Sequence, residues 1–179
     1  MDAGARAEER VPVLETARLR LRAHRPADHA ACTALWADPV VVRHIGGRPF
    51  TAEETWRRML ASRGLWGMLG YGYWAVEEKA GGCYVGDVGF GDFRREIEPP
   101  LAGMLEFGWV LSPGVHGRGY ASEAVAAATA WADAQLPGMR AVCLIGEGNA
   151  ASIRVAEKAG FREWRRTTYH GESSLLFAR

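Results

Sequence analysis

The chain has 179 residues, of which 48% are hydrophobic and 24% are charged, proportions typical of one globular domain with an ordinary core. Its 22 basic and 21 acidic side chains give a formal net charge of +1. A chain this close to neutral has no overall field to attract a polyanion or an acidic membrane surface. We therefore expect neither nucleic acid nor membrane as a partner.

The cysteines and the N-terminus indicate the environment of the protein. Cys32, Cys83 and Cys143 are odd in number and far apart, a pattern that matches neither a disulfide framework nor a zinc site. We expect reduced thiols, no metal site and a cytoplasmic location. The polar first residues lack the apolar stretch of a secretory signal, and no apolar run approaches the roughly 20 residues of a membrane span. Residues 1–12 are expected to form a disordered tail and residues 13–179 a single domain.

The N-terminal half predicts one strand, two helices and a hairpin. Leucines alternate with arginines at 18–22, as in a half-buried strand. Pro26 starts a helix that stops before Pro39, and the capping-box spacing of residues 51–54 starts a second helix that runs to about residue 69. Two short aromatic and β-branched runs separated by a pair of glycines then predict a β-hairpin. These runs are 73–76 and 84–90.

The C-terminal half alternates strands with helices. After a loop at 94–103, the predicted elements are a strand at 104–111, a helix at 121–135, a strand at 140–145, a helix at 150–159 and a final strand pair at 161–169 and 175–177. Strands are consecutive in the middle of the chain and interleave with helices afterwards. We therefore expect an α/β fold whose mixed sheet carries helices on both faces.

A glycine turn lies between the strand at 104–111 and the long helix that follows. The N–H groups at a helix start lack intrahelical partners and the dipole is positive there, so the segment 115–123 (VHGRGYASE) predicts an anion site. Gly117 and Gly119 have no Cβ to block a diphosphate, and Arg118 can add charge. A Walker P-loop and a Rossmann fingerprint both fit badly, because no Gly-Lys-Ser/Thr is present and Ser122 replaces the third glycine. The alternative is a turn that needs glycine only for its geometry.

A second constellation opens the last helix. Asn149 is a natural N-cap and Ser152 can satisfy a nearby backbone group, so both can be purely structural. However, the order of elements places two strand ends and two helix starts side by side. Ligands of α/β sheets bind in such a crevice.

These segments resemble the successive signatures of the GNAT superfamily of N-acetyltransferases. The resemblance is carried by residues 105–113, 116–124 and 149–161, while the opening LETARLRLR at 14–22 is similar to the RimJ/RimL-type branch. It covers residues 14–177 and implies a mostly antiparallel sheet of about seven strands, splayed between strands 4 and 5 and flanked by about four helices.

The GNAT resemblance also implies acetyl-CoA as cosubstrate and no metal. The backbone amides of the loop at 116–121 are expected to hold its pyrophosphate, and the strand at 109–111 to pair with its pantetheine arm. The expected cofactor-binding residues are Trp109, Val110, Leu111, His116, Gly117, Arg118, Gly119, Tyr120, Ala121, Ser122 and Asn149. Two residues depart from the family pattern. His116 stands where Gln or Arg is usual, and Ala156 stands where many relatives carry a tyrosine general acid.

The implied mechanism is direct attack of an amine on the thioester in a ternary complex. Glu106, a carboxylate in an otherwise apolar strand, is the leading candidate for general base, and the alternative is a salt-bridged or edge-exposed glutamate. Because Ala156 cannot donate a proton, Ser152 or a water molecule is expected to protonate the CoA thiolate. Gly108 is expected to form a bulge that frees a strand amide to face the oxyanion.

The acceptor amine is less defined. Similarity to the RimJ/RimL branch suggests the N-terminal amine of a protein, yet that branch also contains acetylators of small-molecule amines. Several aromatic residues either line an acceptor cleft or belong to the core, and exposed aromatics would be compatible with a homodimer. They are Trp56, Trp66, Tyr71, Tyr73 and Trp74. His24 and His44 are interpreted as structural or surface residues.

Two other functions compete with the acetyltransferase interpretation. The missing tyrosine at Ala156 is compatible with a non-catalytic acyl-CoA sensor or interaction module. The glycine turn alone is compatible with a nucleotide-binding domain.

Overall fold

The computed structural model describes residues 11–179, which form five α-helices and one eight-stranded sheet. The strands are β1 (Leu14–Glu15), β2 (Leu19–Arg22), β3 (Tyr73–Glu78), β4 (Cys83–Gly91), β5 (Leu105–Leu111), β6 (Ala141–Gly146), β7 (Arg162–Tyr169) and β8 (Glu172–Ala178). The helices are α1 (His29–Ala37), α2 (Pro39–Val42), α3 (Ala52–Leu69), α4 (Tyr120–Gln135) and α5 (Ala150–Lys158). Single 3₁₀ turns precede α1 and α4, at Pro26–Asp28 and Pro113–Val115.

The sheet opens between two of its central strands. Its order is β1-β2-β3-β4-β5-β6-β8-β7, and the parallel neighbours β5 and β6 pair only at Leu105–Ala141 and Glu106–Val142. The other neighbouring strands are antiparallel. The expected mixed, mostly antiparallel GNAT-like sheet is confirmed, with its splay after the strand that contains Glu106. The two-residue β1 and the one-turn α2 account for the extra strand and helix.

Local sequence signals explain where α2 and α3 begin. Thr51 Oγ1 accepts from the Glu54 amide at 3.2 Å and the Glu54 carboxylate accepts from the Thr51 amide at 2.8 Å, which is the predicted capping box of α3. The chain does not simply stop being helical at Pro39. Asp38 accepts from the Val40 amide at 2.8 Å, and proline suits a first helical position, so α2 starts there.

An aromatic cluster between α3, α4 and the sheet forms the centre of the core. Trp66 and Trp74 meet edge to face with ring centroids 4.8 Å apart, and Trp131 of α4 contacts both at 5.5 Å. Together with the buried Tyr71, these rings belong to the core. The structure thus places Trp66, Tyr71 and Trp74 in the core, the second of the two expected alternatives.

The N-terminal boundary differs slightly from the expectation. Val11 is buried in the core and the Pro12 carbonyl accepts from the Trp74 indole at 2.8 Å, so residues 11 and 12 belong to the folded part. The rest of the expected tail, residues 1–10, lies outside the described residues. Within the described range, no helix is long and apolar enough to cross a membrane.

Candidate active site

A cleft of about 500 Å³ lies where β5 separates from β6. Its walls are the end of β5, the glycine turn, and the first turns of α4 and α5, so the two predicted constellations meet in one place. The following predicted residues line it: Trp109, Val110, Leu111, His116, Gly117, Gly119, Tyr120, Ala121, Ser122, Asn149 and Ser152. Arg118 and Glu106 are outside this lining.

The splay exposes backbone amides of β5. Ser112 donates its N–H to Val85 at 2.9 Å, toward β4, whereas Leu105 donates to Arg140 at 2.9 Å, toward β6. Amide directions alternate along a strand, so the N–H groups of Trp109 and Leu111 face the side that β6 has left. These two amides are available to a ligand that lies along the open edge.

The expected bulge at Gly108 is wrong. The register between β4 and β5 runs without interruption from Gly86–Leu111 to Gly91–Glu106, and by alternation the Gly108 amide faces β4. Edge amides are freed by the early end of β6 pairing instead. A Cβ at position 108 would lie 2.3 Å from the hydroxyl oxygen of Tyr73, so a side chain there would displace that hydroxyl.

The glycine turn delivers an uncapped helix start to the cleft. Gly117 and Gly119 have φ angles of 74° and 79°, in the left-handed region that favours glycine. Gly119 is the N-cap of α4 and supplies no side chain, so the first-turn amides of α4 have no side-chain cap. The His116 ring donates from Nε2 to the Leu111 carbonyl at 2.8 Å, which ties the turn to the end of β5.

The Arg118 side chain is directed away from the cleft. Its guanidinium donates to Glu78 at 3.0 Å and to the Tyr120 hydroxyl at 2.8 Å. Arg18 of the predicted opening motif donates to the Arg118 carbonyl at 2.8 Å and to Glu123 at 2.7 Å. These contacts anchor the glycine turn and the start of α4 to the segment before β2, and they also engage the one acidic side chain in the first turn of α4.

Asn149 and Ser152 have both structural and cleft positions. Asn149 Oδ1 accepts from the Ser152 amide at 3.1 Å, so Asn149 caps α5 as the structural interpretation expects. Both residues nevertheless line the cleft, and the cap uses neither the Asn149 Nδ2 group nor the Ser152 hydroxyl.

The sequence interpretation missed several basic residues of the cleft. Arg154 and Lys158 of α5 lie one helical turn apart on the lining face, and Arg43 and His44 line the opposite wall just after α2. His44 is therefore not merely a surface residue. Helical periodicity from Ser152 onward could have indicated the two α5 residues, but nothing in the local sequence relates residues 43–44 to a cleft more than 60 residues away.

Glu106 is buried and ion-paired on one side of β5. Arg95 Nε lies 2.7 and 2.8 Å from its two carboxylate oxygens, and Arg95 also donates to the Tyr169 hydroxyl at 2.6 Å. Burial raises the pKa of Glu106 above its ordinary value, although Arg95 opposes that shift. The salt-bridged alternative for Glu106 is thus realised.

Comparison with known proteins identifies the family. The model of the acetyltransferase (GNAT) domain family matches residues 18–162. The chain belongs to the GNAT family of acetyltransferases. Protein YkkB of Bacillus subtilis strain 168, described as uncharacterized, is 30% identical over 162 residues, covering 86% of this chain and 90% of YkkB.

Solved structures agree with this assignment. A GnaT-family acetyltransferase from Bordetella pertussis superposes with a TM-score of 0.82 at 30% identity, covering 94% of this chain and 99% of its own. An acetyltransferase from Agrobacterium tumefaciens strain C58 gives 0.79 at 30% identity, with 94% of both chains covered. This GNAT protein is therefore an acyltransferase of the N-acetyltransferase class.

Two further features bear on the chemistry of this GNAT protein. Ala156 is completely buried in the main core cluster, so a tyrosine side chain has no space at that position. No group of three or more potential metal ligands occurs among residues 11–179.

Proposed function

We propose that the protein transfers the acetyl group of acetyl-CoA to a primary amine by direct attack in a ternary complex. The observation that carries this proposal is the meeting, in one cleft, of the uncapped start of α4 and the free amides of β5. The α4 amides offer a diphosphate site, and the β5 edge offers hydrogen bonds to an extended amide-containing arm. Acetyl-CoA contains both groups.

Individual residues have distinct roles in this proposal. The amides of the loop at 116–121 hold the pyrophosphate, and the N–H groups of Trp109 and Leu111 pair with the pantetheine arm. Asn149 Nδ2 hydrogen-bonds the same arm from α5. The α-carbon of Gly108 and the Trp109 amide lie where the arm would end, so the Trp109 amide is suited to receive the oxyanion.

Glu106 is proposed as the base that accepts the proton of the attacking amine, directly or through water. Because burial raises its pKa, it is a stronger base than an ordinary carboxylate, and Arg95 is its ion-pair partner. Within the cleft lining, the Ser152 hydroxyl or a water molecule can protonate the leaving thiolate. An α-amino group, with an ordinary pKa of about 7.7–8.0, needs less help from such a base than lysine at about 10.4.

The acceptor class is proposed as a protein N-terminus, as in the RimJ/RimL branch, or a small-molecule amine. Two solved structures that share the fold illustrate both classes. A ribosomal-protein-S5-alanine acetyltransferase from Vibrio fischeri has a TM-score of 0.72 at 18% identity. AAC(6')-Ib in complex with an aminoglycoside and acetyl-CoA has a TM-score of 0.75 at 16% identity.

The test combines binding with turnover. Isothermal titration with acetyl-CoA should show saturable binding that is lost in Gly119→Trp. Release of free CoA thiol should then depend on an amine from a panel of peptides with free N-termini and small primary amines. Absence of acetyl-CoA binding would refute the proposal.

A second candidate is a non-catalytic acyl-CoA sensor, favoured by the buried Ala156 in place of a tyrosine acid. It predicts acetyl-CoA binding of ordinary affinity but no amine-dependent thiol release with any member of the panel.

A further inference from the structure

Tyr73 extends across the sheet to the middle of β5. Tyr73 of β3 pairs with Gly89 of β4, which pairs with Gly108 of β5, so the three residues form a row on one face. A Cβ at Gly89 would lie 2.9 Å from Tyr73 Cγ, and a Cβ at Gly108 would lie 2.3 Å from the Tyr73 hydroxyl oxygen. The Tyr73 side chain therefore starts beside Gly89 and ends with its hydroxyl next to Gly108.

Within residues 11–179, the Tyr73 hydroxyl has a proton that it donates to no acceptor. No described residue forms a hydrogen bond with it, whereas the hydroxyls of Tyr120 and Tyr169 are both engaged. Burial, with a further contribution from Glu106, raises the pKa of Tyr73. The phenol therefore stays protonated at physiological pH.

The hydroxyl lies against the part of β5 that no longer pairs with β6, although neither Tyr73 nor Gly108 belongs to the cleft lining. Gly108 immediately precedes Trp109, the first residue of β5 that lines the cleft. Glu106, two residues earlier on the strand, projects to the same face as Tyr73. The carboxylate of Glu106, the Tyr73 hydroxyl next to Gly108 and the Trp109 amide thus lie along one four-residue stretch of β5.

We propose that Tyr73 is a catalytic residue of this protein and serves as the general acid that Ala156 cannot supply. This inference rests on the proposed function. The amine nitrogen forms the C–N bond and loses a proton to Glu106; the C–S electron pair passes to sulfur as that bond breaks. Tyr73 gives its proton to the sulfur, and protonated Glu106 returns a proton to the tyrosinate. The products are amide and CoA thiol, and both side chains regain their starting states.

The first test removes only the hydroxyl. Tyr73→Phe should lower kcat by about 10- to 100-fold, at or below the low end of general acid effects because a thiolate leaves passably unaided. The Kd for acetyl-CoA and the KM for the most active amine of the panel should stay within twofold. Tyr84→Phe is the matched control, since it also removes the hydroxyl of a sheet tyrosine outside the cleft lining, and should keep full kcat.

A second test separates proton donation from packing. Replacing Tyr73 by a fluorinated tyrosine keeps the ring and hydroxyl but makes the phenol more acidic. A general acid works only when protonated, so kcat of this variant should fall at alkaline pH values where the wild type is still flat. A merely structural ring would leave the two pH profiles superimposable.

The outcomes distinguish this inference from the proposed function. If the wild type binds acetyl-CoA and releases thiol, but Tyr73→Phe retains kcat within twofold, Tyr73 is not the acid. Loss of kcat in Ser152→Ala together with an unaffected Tyr73→Phe would assign the proton transfer to Ser152. A wild type without amine-dependent thiol release would instead remove the proposed function itself.

Discussion

A negative charge placed at the start of α4 should stabilise the free protein and weaken acetyl-CoA binding. Ser122 lies in the first turn of α4 and lines the cleft, and no side chain caps that helix end. Ser122→Asp puts a carboxylate among the amides that the proposed pyrophosphate site uses. Ser122→Asn is the matched control, because asparagine has the size and hydrogen-bonding oxygen of aspartate without its charge.

The two effects have opposite signs and different sizes. A carboxylate in the first turn of a helix contributes about 0.3–1 kcal/mol, so the free Asp variant should melt up to about 4 °C above the Asn variant. Against a doubly charged diphosphate about 6 Å away, the same carboxylate costs at least about 1.4 kcal/mol even in a water-like dielectric. The Kd for acetyl-CoA should therefore rise about 10- to 100-fold relative to Ser122→Asn.

Isothermal titration at two ionic strengths measures this difference. The ratio of the two Kd values should shrink in 1 M salt, where the Debye length falls to about 3 Å. S-acetylpantetheine lacks the pyrophosphate and should bind both variants equally. A ratio below threefold at low salt would show that the diphosphate does not bind at the start of α4.

Three further variants test the other parts of the site. Glu106→Gln should lower kcat/KM by about 10²-fold or more. A base works only when deprotonated, so the wild-type rate should also decline as the pH falls toward the raised pKa of Glu106. This decline at low pH should be absent from the pH profile of the variant. Ala156→Tyr should destabilise the protein by about 1–3 kcal/mol without raising thiol release, because the position is fully buried; a faster enzyme would contradict this. Arg18→Ala should raise the Kd for acetyl-CoA several-fold by releasing the glycine turn, whereas Arg20→Ala, which removes a comparably exposed arginine of the next strand, should not; calorimetry compares the two.

Features with a local physical cause were predictable from the sequence. The capping box at Thr51, the left-handed glycines of the turn and the Asn149 cap each depend on residues within a few positions of one another. The order of these elements was enough to bring the starts of α4 and α5 together at the splay. Of the predicted cofactor residues, Arg118 alone has its side chain outside the cleft, because distant Glu78 binds its guanidinium.

Features that depend on contacts between distant segments were not predictable. Gly108 has no positive φ and forms no bulge, yet its missing side chain is what admits the hydroxyl of Tyr73 from two strands away. Read locally, that glycine suggested a backbone irregularity, and Tyr73 suggested either an acceptor cleft or core packing. The strand register is what places Tyr73 next to Gly108, on the same face as Glu106. That position is the reason for proposing Tyr73 as the acid of the reaction. In this proposal, the protein needs no tyrosine at Ala156, because the proton donor comes from β3, across the sheet, instead of from α5.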